Sequence, residues 1–165
     1  MEIDPHPGTP LTLVKRAVER RRTDHDVDEL WCVFDVEWPT AKRHPHLDQA
    51  MNLARDHGIR LAISNPCFEL WLVLHFRDQH AFLETDAAER LSRECDGRKS
   101  GRQRDARKTK RIDVEQYMSR RAAACRRAAA LDRKHRCGHT SFPDNNPSST
   151  MHEFLAMLEC DVEED

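Results

Sequence analysis

Leu11, Val14 and Val18, with Ala17 beside them, recur at the spacing of one helical face. Ahead of them, Gly8-Thr9-Pro10 supplies an N-cap threonine and a proline at the first helical position, so a helix is predicted from Leu11 to Arg22. A polar connection, Asp24 to Glu29, leads into Leu30-Trp31-Cys32-Val33-Phe34, an unbroken apolar run that stops at Asp35. Such a run predicts a strand buried on both faces, as in a parallel sheet. Leu47, Ala50, Met51 and Ala54 share the inner face of a second helix, Leu47 to His57, with Gly58 as its C-cap signal. Ile59 to Ile63 alternates as a strand should and ends at Ser64-Asn65-Pro66. The most apolar stretch, Phe68 to Phe76, is predicted as a buried helix with Asn65 as N-cap and Pro66 as first residue.

The second half is helical in pattern. A short amphipathic helix is predicted from Glu84 to Cys95, and a long one containing two alanine triplets from Asp113 to Lys134. Between them, residues 96–110 are rich in Arg, Lys and Gly and lack apolar periodicity. A Pro/Asn/Ser loop, Pro143 to Ser149, precedes a closing helix, Thr150 to Leu158, and residues 160–165 form an acidic tail. Helix, strand, helix, strand with short links predicts an α/β fold: a small parallel sheet flanked by helices, with a helical C-terminal half. We read one domain, with a core over residues 1–80 and a helical extension over 81–159 that carries the basic loop 96–111.

A net charge of -2 conceals a strong asymmetry. Residues 90–136 hold 17 Lys/Arg against 6 Asp/Glu, whereas residues 137–165 hold 7 acids and no Lys or Arg. One arm therefore attracts phosphate and the rest does not. No run approaches the roughly 18 apolar residues of a membrane span, and the N-terminus has no signal-peptide pattern, so a cytoplasmic protein without membrane contact is expected. The six cysteines show no paired spacing, and all six are expected to be thiols there. His135-Arg136-Cys137-Gly138-His139 lacks a second ligand pair at finger-like spacing, which argues against structural zinc.

Asp35 and Glu37 stand at the carboxyl end of the first strand, where open parallel sheets bind ligands. Two acids at i and i+2 suit a hard cation such as Mg²⁺, which favours one or two carboxylates plus waters and phosphate oxygens; acids also cap strands without any metal. Ser64 and Asn65 stand where a strand hands over to a helix N-terminus, a natural anion site. Glu69 lies one turn inside an apolar helix and needs a partner or a metal, an arginine such as Arg60 being the plain alternative. His75 shares the face of Phe68 and reads first as a hydrogen-bonded core residue. Lys99, Arg102, Lys108 and Lys110 in the basic loop suit phosphate contact, or simple solvation; no aromatic residue there could stack bases.

The string Ser64-Asn65-Pro66-Cys67-Phe68-Glu69-Leu70-Trp71-Leu72-Val73-Leu74-His75-Phe76 resembles the RloB-like family. Gly8-Thr9-Pro10 with Leu13-Val14, Val33-Phe34-Asp35-Val36-Glu37 and Asn146-Pro147-Ser148-Ser149-Thr150 agree in the same order. The resemblance covers nearly the whole chain. It implies a bacterial phage-defence or abortive-infection protein with a Toprim-like core, partnered by an AAA-type ATPase. In that fold an Asp-x-Asp at a strand end binds Mg²⁺ (or Mn²⁺), and Asp35 and Glu37 match it with Glu in the second place. The family pattern also implies an earlier strand ending in a catalytic Glu. This sequence has no such motif and is expected to begin just after that strand, with Glu2 or Asp4 as remote substitutes.

The resulting expectation is a Mg²⁺-dependent nuclease component of an antiphage system. Asp35 and Glu37 would hold metal and act catalytically, Ser64, Asn65 and the four basic-loop residues would contact phosphate, and Glu69 and His75 would support them. The alternatives are a non-catalytic partner of an ATPase that binds nucleic acid or protein, and a plain α/β module with a solvated basic loop.

Overall fold

Thr9 caps the first helix as its sequence predicts: its hydroxyl accepts from the Thr12 N–H, and Pro10 stands at the first helical position. The computed structural model describes residues 2–39, 43–97 and 113–160. Within them the chain runs α1 (Pro10–Thr23), β1 (Trp31–Asp35), α2 (Leu47–Asp56), β2 (Arg60–Asn65), α3 (Phe68–Leu74), α4 (Thr85–Cys95), α5 (Val114–Met118), α6 (Arg121–Cys137), β3 (Ser148–Ser149) and α7 (Met151–Cys160). Gly58, just past α2, has a φ of +64°, a left-handed turn that glycine adopts without strain and that turns the chain into β2.

The sheet is mixed, and the expectation of a wholly parallel one is corrected. β1 and β2 pair in parallel from Trp31–Arg60 to Asp35–Ser64, but β3 joins the other side of β2 antiparallel through Ser64–Ser149 and Asn65–Ser148. The apolar run of β1 and the alternation of β2 report only on burial, and a two-residue strand of serines carries no such signal.

Two cores lie on the two faces of this sheet. Cys32, Phe34, Val36 and Ile63 pack with Val14 of α1 and Leu47, Ala50 and Ala54 of α2. Ala62 packs with Leu70, Trp71 and Leu74 of α3, Ala124, Ala128 and Leu131 of α6, and Met151 of α7. Ala124 and Ala128 are fully buried, so the alanine-rich face of α6 lets its backbone approach α3 closely. β1 is less enclosed than its apolar run predicts: Val33 is 46% exposed. Among the described residues β1 is an edge strand, and α3 covers its neighbour β2 instead.

Three local expectations also change. β2 extends through Asn65, and the N-cap of α3 is Cys67, not Asn65, because the Asn65 side chain is held sideways by other partners. Phe68 and Phe76 are only half-buried at the ends of α3, while Trp71 and Leu72 are buried. The long helix predicted from Asp113 to Lys134 is broken at Ser119-Arg120 into α5 and α6. Tyr117 accounts for the break. Its ring docks edge-on against His75 and Phe76, its hydroxyl donates to Asp96 Oδ2 at 3.1 Å, and the Arg120 guanidinium lies over the Phe76 ring.

Trp71 joins α3 to the second core with 4% exposure. Replacing it with alanine should destabilise the protein by roughly 3–5 kcal/mol in urea unfolding monitored by circular dichroism; a loss below about 1 kcal/mol would mean that this core is not tightly packed.

Candidate functional site at the carboxyl end of the sheet

β1 ends at Asp35, whose backbone lies in register with Ser64. The next residues do not simply fray. The Val36 N–H donates to the Ser64 carbonyl at 3.0 Å and the Glu37 N–H donates to the Pro66 carbonyl at 2.8 Å, so the acidic strand end is stitched along the approach to α3. Glu37 adopts a φ of +68°, a left-handed conformation uncommon for a residue other than glycine. Backbone held in such a region marks a place where surrounding bonds dictate the chain path, a frequent property of functional sites. Asp35 and Glu37 are both half-buried.

Trp38 follows and roofs this end of the sheet. Its Nε1 donates to Asn65 Oδ1 at 2.7 Å, its backbone exchanges two hydrogen bonds with Thr85, and its ring meets Phe82 edge-on with Arg43 over its face. Asn65 is fully buried and spends its amide inside the protein, Nδ2 donating to the Pro143 carbonyl at 2.8 Å and to Asn145 Oδ1 at 3.1 Å. Ser64 is buried too, its hydroxyl 3.2 Å from that of Ser149. These two side chains therefore build the floor of the site rather than face solvent. A direct phosphate contact from Asn65 would require breaking the bonds that hold 143–145 in place.

The segment Asn146 to Thr150, read from sequence as the end of a loop and the first residue of the closing helix, completes the same floor. Asn146 pairs both ways with the Leu83 backbone, accepting at 3.0 Å and donating at 2.8 Å. The Thr150 hydroxyl accepts from the Ile63 N–H at 2.8 Å, and the Thr150 N–H donates to the Ile63 carbonyl at 2.9 Å. Trp38, Asn146, Ser149 and Thr150 were missed as site-building residues. The polar run 144–150, too rich in hydrogen-bonding groups for an ordinary solvated loop, was the available signal.

Glu69 lies in the first turn of α3, half-buried. The plain alternative for it was Arg60, which lies at the other end of β2, 3.8 Å from Glu29 and stacked on Trp31. Burial pushes the Cys67 thiol far above its ordinary pKa, and the charges of Glu69 and then Asp35 push it further. The carboxylates of Asp35 and Glu69 thus act on the same buried thiol, which stays protonated and is a packing group rather than a nucleophile. Cys32 is likewise raised by burial, to about 11. His75 is the hydrogen-bonded core histidine: Nδ1 donates to the Trp71 carbonyl at 2.8 Å and the ring lies between Trp71 and Tyr117.

Glu2 and Asp4 are remote from this arrangement; they pair with Arg20 and Arg16 on the surface of α1. Lys99, Arg102, Lys108 and Lys110 lie outside the described residues. The donor set of Asp35, Glu37 and the neighbouring carbonyls is all oxygen, which fits a hard cation. Among the described residues Asp35, Glu37 and Glu69 do not bring three ligand atoms within 4.8 Å of one another. The site thus fits a cation held by one or two carboxylates and otherwise hydrated, and does not fit an all-protein cage.

A family model described as RloB-like protein matches residues 2–158, essentially the whole sequence. The chain belongs to the RloB-like family. Comparison with curated proteins and with solved structures found no match. In this RloB-like chain no described helix is long and apolar enough to cross a membrane. The five described cysteines (32, 67, 95, 125 and 137) are free thiols.

Burial holds the His75 pKa below its ordinary value, only partly offset by the bond to Trp71. The unfolded chain therefore protonates first as pH falls, so this contribution to stability is present above about pH 6.5 and is lost progressively below it, toward the lower folded-state pKa. His75→Gln should flatten the acid-side dependence of the urea midpoint. An unchanged slope would assign that dependence to other histidines. Asn65→Ala should cost about 1–3 kcal/mol for each buried group it leaves unpaired, read from the same unfolding curves.

Proposed function

We propose that this RloB-like chain is a Mg²⁺-dependent, Toprim-like phosphodiesterase component of a bacterial antiphage or abortive-infection system, working in the cytoplasm beside an AAA-type ATPase. The observation that carries the reading is the acidic strand end: Asp35 and Glu37 close the carboxyl end of a parallel strand pair, and Glu37 is bent back by its bond to the Pro66 carbonyl. Asp35 and Glu37 would hold the cation, which when bound supplies charge neutralisation at a phosphate. Trp38, Ser64, Asn65 and Ser149 keep the strand end rigid, and Glu69 keeps a further carboxylate close to it. The basic loop would hold a nucleic-acid backbone through Lys99, Arg102, Lys108 and Lys110 by neutralising phosphates.

One observation favours a second reading, a non-catalytic partner of the ATPase. Phosphodiester cleavage needs a group that positions or deprotonates the nucleophile in addition to the metal clamp. Among the described residues, Asp35 and Glu37 belong to no group of three His, Cys, Asp or Glu side chains close enough to hold one metal ion.

Mg²⁺ or Mn²⁺ should raise the melting temperature of the protein by mass action, and Asp35→Asn with Glu37→Gln should erase the response. Metal-dependent cleavage of plasmid DNA or RNA, lost in Asp35→Ala, supports the enzyme; metal binding with no cleavage of either supports the partner reading. For the basic arm, Lys108→Ala with Lys110→Ala should lower the salt slope of nucleic-acid binding by about one unit per lost contact. No binding to DNA or RNA at low salt, measured by fluorescence anisotropy, would remove nucleic acid from the proposal.

A further inference from the structure

A second polar cluster lies where α6 meets α7, away from the acidic strand end. Asp132 of α6 and His152 and Glu153 of α7 place one ligand atom each within 4.8 Å of one another. Asp132 and His152 keep only 18% and 17% of their side-chain surfaces exposed, while Glu153 is exposed. The helices are otherwise joined by apolar packing of Leu131 and Met151 and by an Arg121–Glu159 ion pair.

The histidine decides the chemistry. His152 Nδ1 lies 3.1 Å from the Ser149 carbonyl, which only accepts, so Nδ1 carries the proton. That bond turns Nε2 toward Asp132 Oδ2 at 3.4 Å. A charge-assisted N–H···O bond prefers about 2.7–2.9 Å, and this separation is long for one. Two donors on one tetrahedral Zn²⁺, each about 2.0–2.1 Å from the metal, stand roughly 3.3–3.5 Å apart. A ring whose far nitrogen donates to a backbone carbonyl is also how metal-binding histidines are oriented.

We propose that Asp132, His152 Nε2 and Glu153 form a site for a borderline divalent metal of the Zn²⁺ class, with a fourth position open to solvent, clamping α7 to α6. This goes beyond the Mg²⁺ reading of Asp35 and Glu37 and does not depend on it. The nitrogen donor favours a 3d cation over Mg²⁺. Because His152 hangs from Ser149, and Ser149 pairs with Ser64, metal at this site would brace the β3 edge of the candidate active centre from behind.

Chelator-treated full-length protein should take up one tight equivalent of Zn²⁺ in calorimetry. Co²⁺ should give a tetrahedral absorption band without a thiolate charge-transfer band. His152→Gln, Asp132→Asn and Glu153→Gln should each weaken zinc binding by at least about tenfold, the loss that even an outer-shell change commonly causes. Asp35→Asn with Glu37→Gln should leave it unchanged. Glu153 is exposed, so Glu153→Gln remains informative even if the buried variants do not fold. No tight equivalent in the parent protein, a thiolate band with Co²⁺, or undiminished binding in Glu153→Gln and His152→Gln would each overturn the proposal.

Discussion

The buried amide of Asn65 is the point on which this architecture depends. β2 reaches the site with its last side chain fully enclosed, and an enclosed amide must find partners on both its oxygen and its nitrogen. The oxygen takes Trp38, which sets the path of the chain leaving Asp35 and Glu37; the nitrogen takes Pro143 and Asn145, which sets the path of the chain entering β3. The acidic strand end, the α3 start and the 143–150 segment are thus positioned by one residue. None could be displaced without stranding a polar group out of reach of water, a cost of about 1–3 kcal/mol for each such group against the marginal stability of a domain of this size.

That dependence explains what was legible in the sequence. α1, α2, β1, β2 and α4 follow apolar spacing and cap signals, and each lies within a few residues of its expected bounds. The errors fall where tertiary bonds overrule local preference. Asn65 is a good N-cap by type, yet its amide is worth more as a tie between segments than as a cap. Alanine-rich helix would have continued through 119–120 but for the docking of Tyr117 on His75. β3 has neither β-branched nor aromatic residues; it is a strand only because β2 offers unpaired backbone groups there.

For the site, the order of legibility was the same. Asp35 and Glu37 were visible as acids ending an apolar run, and the left-handed bend at Glu37 adds a constraint that no periodicity could have displayed. Ser64 and Asn65 were legible as important, but residue type reveals bonding capacity and not the direction in which it is used. Asp132, His152 and Glu153 were invisible: they come together only when α6 and α7 meet, which brings Asp132 to residues twenty and more positions further on, and Asp132 is the one acid in a helix otherwise basic or apolar.

The ties between β2 and residues 143–150 also have a temporal meaning. The bonds from Asn65 to Pro143 and Asn145, from Ser64 to Ser149 and from Ile63 to Thr150 span 78, 80, 85 and 87 residues. Contacts so distant along the chain form late, because loop closure must precede any gain from them. During synthesis the ribosome releases β1 and its carboxylates long before residues 143–150. The floor beneath Asp35 is therefore assembled only after residues 143–150 have emerged, and a nascent chain that has not reached them displays the acids without the frame that gives them a fixed geometry.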